Sequence, residues 1–433
     1  MAKMIGYLIH SFPLFSSTFV NDEVDEMRKQ GAELALFAVQ RPRSQEYPPS
    51  FERFYRETTY VFPIRYSLFF GRHLQAILQR PRAYFTCLAW ILTKFDLGFK
   101  NRLRTLFHFA EAIYLYPEIR SRGCQHLHVH FLLGGASIAV FLNRIYGLSY
   151  SLTAHGSDIF VDRVLQKEKL EYARFTRLAT EYNANFLRPL LSESKRASLH
   201  IIPFGIDQNK IPSKNQTVAT FPESITGTLA SQEKHLSKPL RLLAVGRLIW
   251  QKAQHLLLEA CAELDRRGLD FHLRLIGEGP LRSALEEQIR SLKLENKITM
   301  VGAMPSDAVW QEYMNADLFI LSSISEGSPF VIMEAMGCGL PVIAPALHGI
   351  PEMIRDGVDG RLFKTGSAEA LTKAMAELFE NASLRKSLGF SAEISVKEKF
   401  DQSQSVSSFY QLLKPYMEKS NKASMQAIKL GQI

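Results

Sequence analysis

The stretch Leu240-Arg241-Leu242-Leu243-Ala244-Val245, continuing into Gly246-Arg247-Leu248-Ile249-Trp250-Gln251-Lys252, decides the fold. The first six residues are mostly apolar and lie between Pro239 and Gly246, which reads as a short buried strand. A glycine corner follows, and over 253–267 apolar residues recur at helical spacing. The unit then repeats. Strands are expected at 271–276, 297–301, 317–322 and 340–344, and helices at 280–293, 306–315, 329–338 and 367–380. Such alternation means a parallel sheet with helices on both faces.

The region upstream alternates in the same way. Met4–His10 reads as a strand, Ser16-Ser17-Thr18 as a polar loop, and Asn21-Asp22-Glu23 as the acidic first turn of a helix. Gly31 suits the end of that helix, and Leu34–Val39 reads as the next strand. Residues 65–122 look helical, with further strands at 126–131, 150–153 and 201–203. Residues 207–239 are polar and lack apolar periodicity, so they read as a linker with an insertion. The expected architecture is α/β: two doubly wound, Rossmann-like domains facing each other across a cleft. The first spans 1–206, the linker 207–239, the second 240–400, and a helical segment with a frayed tail 401–433. Ligands of such sheets bind at the carboxyl ends of strands.

At 433 residues, 46% hydrophobic and 22% charged, the composition is globular and excludes a disordered or fibrous chain. The net charge of +9 is unevenly placed: residues 1–230 hold 28 basic and 19 acidic side chains, and the rest 24 of each. Residues 41–122 alone hold 14 basic against 6 acidic, and 17 aromatics fall within 51–116. A basic, aromatic surface suits an anionic partner such as a membrane face, although an arginine-rich solvated face over an aromatic core would look the same. No nucleic-acid recognition motif accompanies the charge. Cys87, Cys124, Cys261 and Cys338 form no CxxC pair, which fits a reducing compartment and no structural zinc. The opening residues read as a strand rather than a signal peptide. The longest apolar run, near 84–92, falls short of the roughly 20 residues that span a bilayer. A cytoplasmic protein is expected, with attachment to a membrane surface open to it.

Several loops carry chemistry. Gly246 allows close backbone approach, while Arg247 and Lys252 flank the same strand-to-helix corner and could clamp a diphosphate. Glu326-Gly327-Ser328-Pro329-Phe330-Val331 precedes a helix holding Glu334. Pro329 fits the first helical position, leaving the amides of Phe330 and Val331 at the positive helix end. Glu326 and Glu334 could bind two parts of one polyhydroxyl ligand. Glu334, among Ile332, Met333, Ala335 and Met336, is expected to need a partner. Gly277-Glu278-Gly279 and Met300-Val301-Gly302 end neighbouring strands, and Met300 could offer backbone groups to a base. Upstream, Thr153-Ala154-His155-Gly156-Ser157-Asp158 follows a strand. His126, His128 and His130 share a strand face, which makes zinc a minor alternative; His130 could line the cleft. No aspartates are spaced i, i+2, so a DxD metal–diphosphate site is missing, and neither a P-loop nor a dinucleotide fingerprint is present.

Together, Val245-Gly246-Arg247-Leu248 with Lys252, Leu275-Ile276-Gly277-Glu278-Gly279, and Glu326-Gly327-Ser328-Pro329 with Glu334 resemble the retaining glycosyltransferases of family 4, which have the GT-B fold. The likeness extends to Thr153–Asp158 and to Pro203-Phe204-Gly205-Ile206-Asp207. The N-terminal half looks like bacterial exopolysaccharide (colanic-acid-type) and lipopolysaccharide transferases. The resemblance implies that Arg247 and Lys252 hold the donor diphosphate and that Glu334 accepts from the ribose. Glu326 would contact the donor sugar, and Phe330 and Val331 would assist through their amides. His155 would line the sugar site. Gly246, Gly277, Met300, Gly327, Ser328 and Pro329 complete the donor side; Ser17, Thr18, His130, His155 and Asp158 form the acceptor side. The polar loop at 16–18 replaces a double-glycine loop of many members. The resemblance implies a nucleotide-sugar co-substrate, no metal or other cofactor, and a glycan acceptor; the basic, aromatic segment 41–122 is expected to dock on an anionic membrane face where that acceptor is lipid-linked. A sugar-nucleotide epimerase of the same fold and a non-catalytic polysaccharide-assembly scaffold are the alternatives.

Overall fold

The computed structural model describes residues 4–14, 18–43, 47, 49–212 and 239–417; most of the expected linker, the expected tail and Ser17 lie outside these. The chain divides into two units. One holds the residues up to Pro203 together with those from Ser403, and the other is Phe204–Gln402.

The first unit contains seven strands: β1 Ile5–Ser11, β2 Leu34–Gln40, β3 Thr59–Tyr60, β4 His126–His130, β5 Ser149–Thr153, β6 Thr176–Leu178 and β7 Leu199–Ile201. They form one sheet in the order β3-β2-β1-β4-β5-β6-β7. Every pairing is parallel, as in Ile5 beside Leu34 and Ile5 beside His126. The second unit contains β8 Leu240–Val245, β9 Phe271–Ile276, β10 Ile298–Gly302, β11 Leu318–Ile320, β12 Val342–Pro345 and β13 Arg361–Phe363. Their order is β10-β9-β8-β11-β12-β13, again parallel throughout. In each sheet the chain builds outward on one side and then returns to build on the other. The order therefore reverses between β1 and β4, and between β8 and β11. Loops leaving adjacent strands diverge at such a reversal, and the opening between them is where ligands of these sheets sit.

Three strands escape the sequence pattern. β3, β6 and β13 have two or three residues each, too few to show a period. The first helix is Thr18–Lys29, so it begins before Asn21. Glu23 is therefore well inside the helix and buried, rather than a solvated first-turn acid. The 65–122 region resolves into three helices, Tyr66–Gln79, Pro81–Thr93 and Phe99–Ser121. Pro81 opens the second, where its missing N–H costs nothing, and Gly98 precedes the third.

Leu8, Phe37, Val129 and Leu152 centre one face of the first sheet, and Phe141 of the helix Gly134–Tyr146 joins them in the core. Leu242, Leu273, Leu318 and Ile343 do the same in the second unit, joined by Leu257 of the helix Gln254–Arg266. The other face of the first sheet carries Ile5, Tyr7 and Leu36, and is closed by Val406, Phe409 and Leu413 of the helix Gln402–Met417. That last helix follows the second unit in sequence and completes the core of the first.

Candidate functional site

The second unit places its chemistry at the reversal between β8 and β11. After β8 the chain turns through Gly246 into the short turn Trp250–Lys252, and Ala253 takes φ +45° before the helix Gln254–Arg266 begins. Loop and helix are tied by Gln254 Nε2, which donates to the Arg247 carbonyl at 2.9 Å. Ser322, after β11, donates from Oγ to the Lys252 carbonyl at 2.9 Å. The Ile324 amide donates to the Gln251 carbonyl at 2.8 Å. These bonds stitch the two loops into one wall.

Across that wall Lys252 Nζ donates to Glu326 Oε1 at 2.6 Å, and Ser323 Oγ donates to the same oxygen at 2.6 Å. Both charged side chains are mostly covered, 18% and 11% exposed. The pair is thus a placed lysine and a placed carboxylate, side by side. Arg247 is exposed beside them and makes no side-chain hydrogen bond or ion pair among the described residues. The glycines of neighbouring loops are sterically required. A Cβ on Gly277, whose φ is +142°, would lie 2.0 Å from the Gly246 carbonyl oxygen; one on Gly279 would lie 2.4 Å from that of Leu248.

The helix Phe330–Gly337 starts one residue later than expected, with Pro329 as its cap. Phe330 stacks on Phe204 at 5.6 Å between centroids. Glu334 has the partner its surroundings demanded: Tyr313 O–H donates to Oε2 at 2.8 Å. Burial, and then the carboxylate, push the Tyr313 hydroxyl well above its ordinary pKa, so it remains a donor. Gly327 is buried; Ser328 Oγ lies 3.7 Å from Met353 Sδ, and Val331 and Met300 are partly exposed. His348 approaches the Glu326 carbonyl at 2.8 Å through Nδ1. Ser323, Tyr313 and His348 were not singled out from sequence. Only the proximity of Ser323 to Glu326, three residues apart, offered a signal.

The first unit gathers a second cluster around His155. Asp158 is fully buried, and its carboxylate accepts amides from Leu132 at 2.9 Å, Gly156 at 2.6 Å and His155 at 3.1 Å. Burial raises its pKa despite these bonds. Asp158 thereby clasps the loop that carries His155 and faces protein. His130 is also buried; its Nδ1 lies 3.2 Å from His155 Nε2, and its Nε2 lies 2.9 Å from Glu23 Oε1 and 2.7 Å from the Tyr7 hydroxyl. Tyr7 donates to Glu23 as well, and Arg177 Nη1 donates to Glu23 Oε2 at 2.5 Å. Burial alone would raise the Glu23 pKa, but Arg177 and then His130 outweigh it and keep the group ionised. Burial, then His130, hold the His155 pKa well below the usual range. Thr18 opens the first helix, and its neighbour Phe19 packs against His155 at 5.1 Å. His126 and His128 are held by Ser149, Ser151 and Thr153, and among the described residues no group of His, Cys, Asp or Glu is arranged to hold a metal. Glu23, Arg177 and Tyr7 were missed: Glu23 resembled a helix-terminal acid, and β6 gave no strand signal for Arg177.

Two parallel sheets with this order, and a cation–carboxylate wall at the reversal of the second, agree with the GT-B fold that the sequence resemblance implies. The family described as Glycosyl transferases group 1 matches residues 228–393. WcaL of Salmonella typhimurium strain LT2, named for colanic acid biosynthesis, is 38% identical over 385 residues, covering 86% of this chain and 90% of its own. The amylovoran biosynthesis glycosyltransferase AmsK of Erwinia amylovora is 31% identical over 254 residues, covering 57% of this chain and 59% of its own. Anabaena HepE, solved with UDP and glucose, superposes with a TM-score of 0.70 at 16% identity over 95% of this chain and 99% of its own. The chain belongs to the glycosyltransferase group 1 family.

Proposed function

We propose that the protein transfers a sugar from a nucleoside diphosphate sugar to a lipid-linked glycan acceptor at an anionic membrane face. The transfer retains anomeric configuration, needs no metal, and serves exopolysaccharide or lipopolysaccharide assembly. The observation that carries this reading is the Lys252–Glu326 pair at the β8/β11 reversal, with exposed Arg247 beside it. The names of WcaL and AmsK support a polysaccharide product.

The chemistry follows from charge. As the bond from the anomeric carbon to the β-phosphate oxygen breaks, the carbon gains oxocarbenium character and the diphosphate gains negative charge. Arg247 supplies a planar fork to that phosphate and Lys252 a point charge. The amides opening the Phe330–Gly337 helix add the positive end of its dipole. Glu334, backed by Tyr313, receives the ribose hydroxyls. Glu326 meets the donor sugar when Lys252 turns to phosphate. The acceptor oxygen attacks from the face the diphosphate leaves, and its proton passes to the departing phosphate oxygen. The first unit supplies the acceptor side, with His155 held by Asp158 and His130.

The test is a panel of UDP-, GDP- and ADP-sugars. One should raise the melting temperature and, with a lipid-linked acceptor, release its nucleoside diphosphate in the presence of EDTA. Release from donor alone, with conversion to another nucleotide sugar, would identify an epimerase. Absence of any nucleotide binding would end the transferase reading.

A further inference from the structure

The three helices Tyr66–Gln79, Pro81–Thr93 and Phe99–Ser121 are apolar on two sides. Their inner sides pack on one another and on the helix Gly134–Tyr146: Phe69 meets Tyr114, His73 meets Tyr84, and Phe109 meets Phe141. Their outer sides are apolar as well. Tyr66, Phe70, Leu74 and Leu78 recur every fourth residue on the first helix, and all are exposed, Tyr66 at 76%. Phe99, Leu103 and Phe107 repeat the same spacing on the third helix, with Phe99 at 84%. Phe85 and Leu92 are exposed on the second, and Phe95 in the following turn is 99% exposed. A helix apolar all round is built to be covered on both sides, and exposed apolar patches of this extent mark interaction surfaces.

The charges say what covers it. Residues 58–110 hold eight basic side chains and one acidic, Asp96. The cations that turn inward are paired: Arg72 with Glu118, Lys94 with Glu168, and Arg104 with Asp162. Exposed Arg80, Arg82 and Lys100 make no ion pair among the described residues. An apolar surface ringed by unpaired cations repels a second copy of itself and attracts an anionic, apolar partner. No described helix is long and apolar enough to cross a membrane. We infer that this three-helix face docks on an anionic lipid bilayer. The apolar rows enter the headgroup–acyl boundary, and Arg80, Arg82 and Lys100 reach lipid phosphates by extending their stems.

The docked face also leads to the acceptor side. The row Phe99, Leu103, Phe107 ends one residue before His108, and a Cβ on Gly134 would lie 2.7 Å from the His108 ring, with His10 next to it at 3.4 Å. Gly134 follows β4 and His10 lies on β1, the two strands that flank the reversal of the first sheet. A lipid-borne acceptor lying along the row would therefore present its headgroup at that reversal. This deepens the proposed function by naming where the acceptor's membrane is met, and it rests on that reading only for its purpose.

The experiment is cosedimentation of the full chain with phosphatidylglycerol–phosphatidylcholine vesicles and with phosphatidylcholine vesicles, at low salt. The expected result is strong binding to the first and weak binding to the second. The triple variant Arg80→Gln, Arg82→Gln, Lys100→Gln should lose about a hundredfold in partitioning. The variant Phe70→Ser, Phe99→Ser should lose at least about tenfold. Both should keep the wild-type melting temperature, because every altered side chain is exposed. Equal binding to the two vesicle types, or wild-type binding by either variant, would overturn the inference. So would a dimer in light scattering that Phe70→Ser, Phe99→Ser dissociates. Calorimetry with free nucleoside diphosphates separates the two readings: a chain that docks on vesicles but binds no nucleotide defeats the transferase assignment and leaves docking intact.

Discussion

Lys252 is held by Glu326 in a mostly covered position and in the proposed reaction turns to the donor phosphate on binding, so its charge is in place before the diphosphate leaves. Preplaced charge is what lowers a barrier, because no reorganisation is needed as the diphosphate leaves. Lys252→Ala should therefore cut turnover by about a hundredfold or more. Arg247→Ala should cost a similar factor, and steady-state rates with the identified donor check both. If Glu334 binds the ribose as proposed, Glu334→Ala removes that contact without touching the leaving group, and calorimetry should show weaker binding of the free nucleoside diphosphate. An unchanged dissociation constant would remove Glu334 from the site. In the first unit Glu23→Gln keeps an acceptor oxygen but strands Arg177 without its counter-charge. Breaking a buried pair this way should cost roughly 3–5 kcal/mol in urea unfolding. Nucleotide affinity in the second unit should stay constant, which calorimetry checks. The residues that could be read from sequence, Arg247, Lys252, Glu326 and Glu334, are polar groups at strand-to-helix corners. Those that could not are hidden by context: Tyr313 sits in an amphipathic helix where an aromatic signals core, and Glu23 sits near a helix start where an acid signals a dipole.

At the scale of elements, the second sheet was legible because each long strand ends in glycine and each helix carries an apolar stripe. The expected boundaries of β8 and β9 match the observed ones, while β11 and β12 are shorter than the apolar runs that contain them. Those runs continue into loops that are buried because they line the site: Leu321, Ser322 and Ser323 are all covered. A buried loop of small and apolar residues that continues a strand reads like more of the strand. The glycine corners set the loops' spacing. Gly277→Ala would place a methyl 2.0 Å from the Gly246 carbonyl oxygen and force a φ of +142° on a residue that disfavours it. The backbone before Arg247 would have to shift. The variant should lose at least about 1–3 kcal/mol of stability and bind nucleoside diphosphate more weakly. Gly268→Ala, also at positive φ but with nothing within 4 Å, separates strain from collision. It should lose stability and keep nucleotide affinity, and thermal melts with calorimetry distinguish the two.

For the molecule as a whole, the decisive feature invisible in sequence is that the last helix belongs to the first unit. Gln402–Met417 shows an ordinary amphipathic pattern, which says that it packs but not on what. Its destination is the face of β4 that presents His126 and His128. Tyr416 stacks on His126 at 4.1 Å and Phe409 meets His128 at 4.7 Å. Ser149 and Ser151 hold His126 from β5, and Arg174 adds its field. Burial, then Arg174, push the His126 pKa down to about 3; burial, then His130, hold His128 well below its usual range. An unfolded chain protonates both rings below about pH 6.5, whereas the folded one keeps His126 neutral down to about pH 3. Stability contributed by these groups is thus fully present above pH 6.5 and falls as pH drops toward 3, by roughly 1.4 kcal/mol per pH unit for each proton the unfolded state gains. Glu23, with its depressed pKa, adds a loss of the same sign once pH falls below the ordinary glutamate range. Urea midpoints at pH 7.5, 6.0 and 5.0 should therefore fall steeply for the first unit. The variant His126→Asn replaces the titrating ring with an amide that still hydrogen-bonds, so its stability should start lower at pH 7.5 and decline less on acidification. A slope equal to wild type would show that the ring beneath the last helix does not govern the acid response.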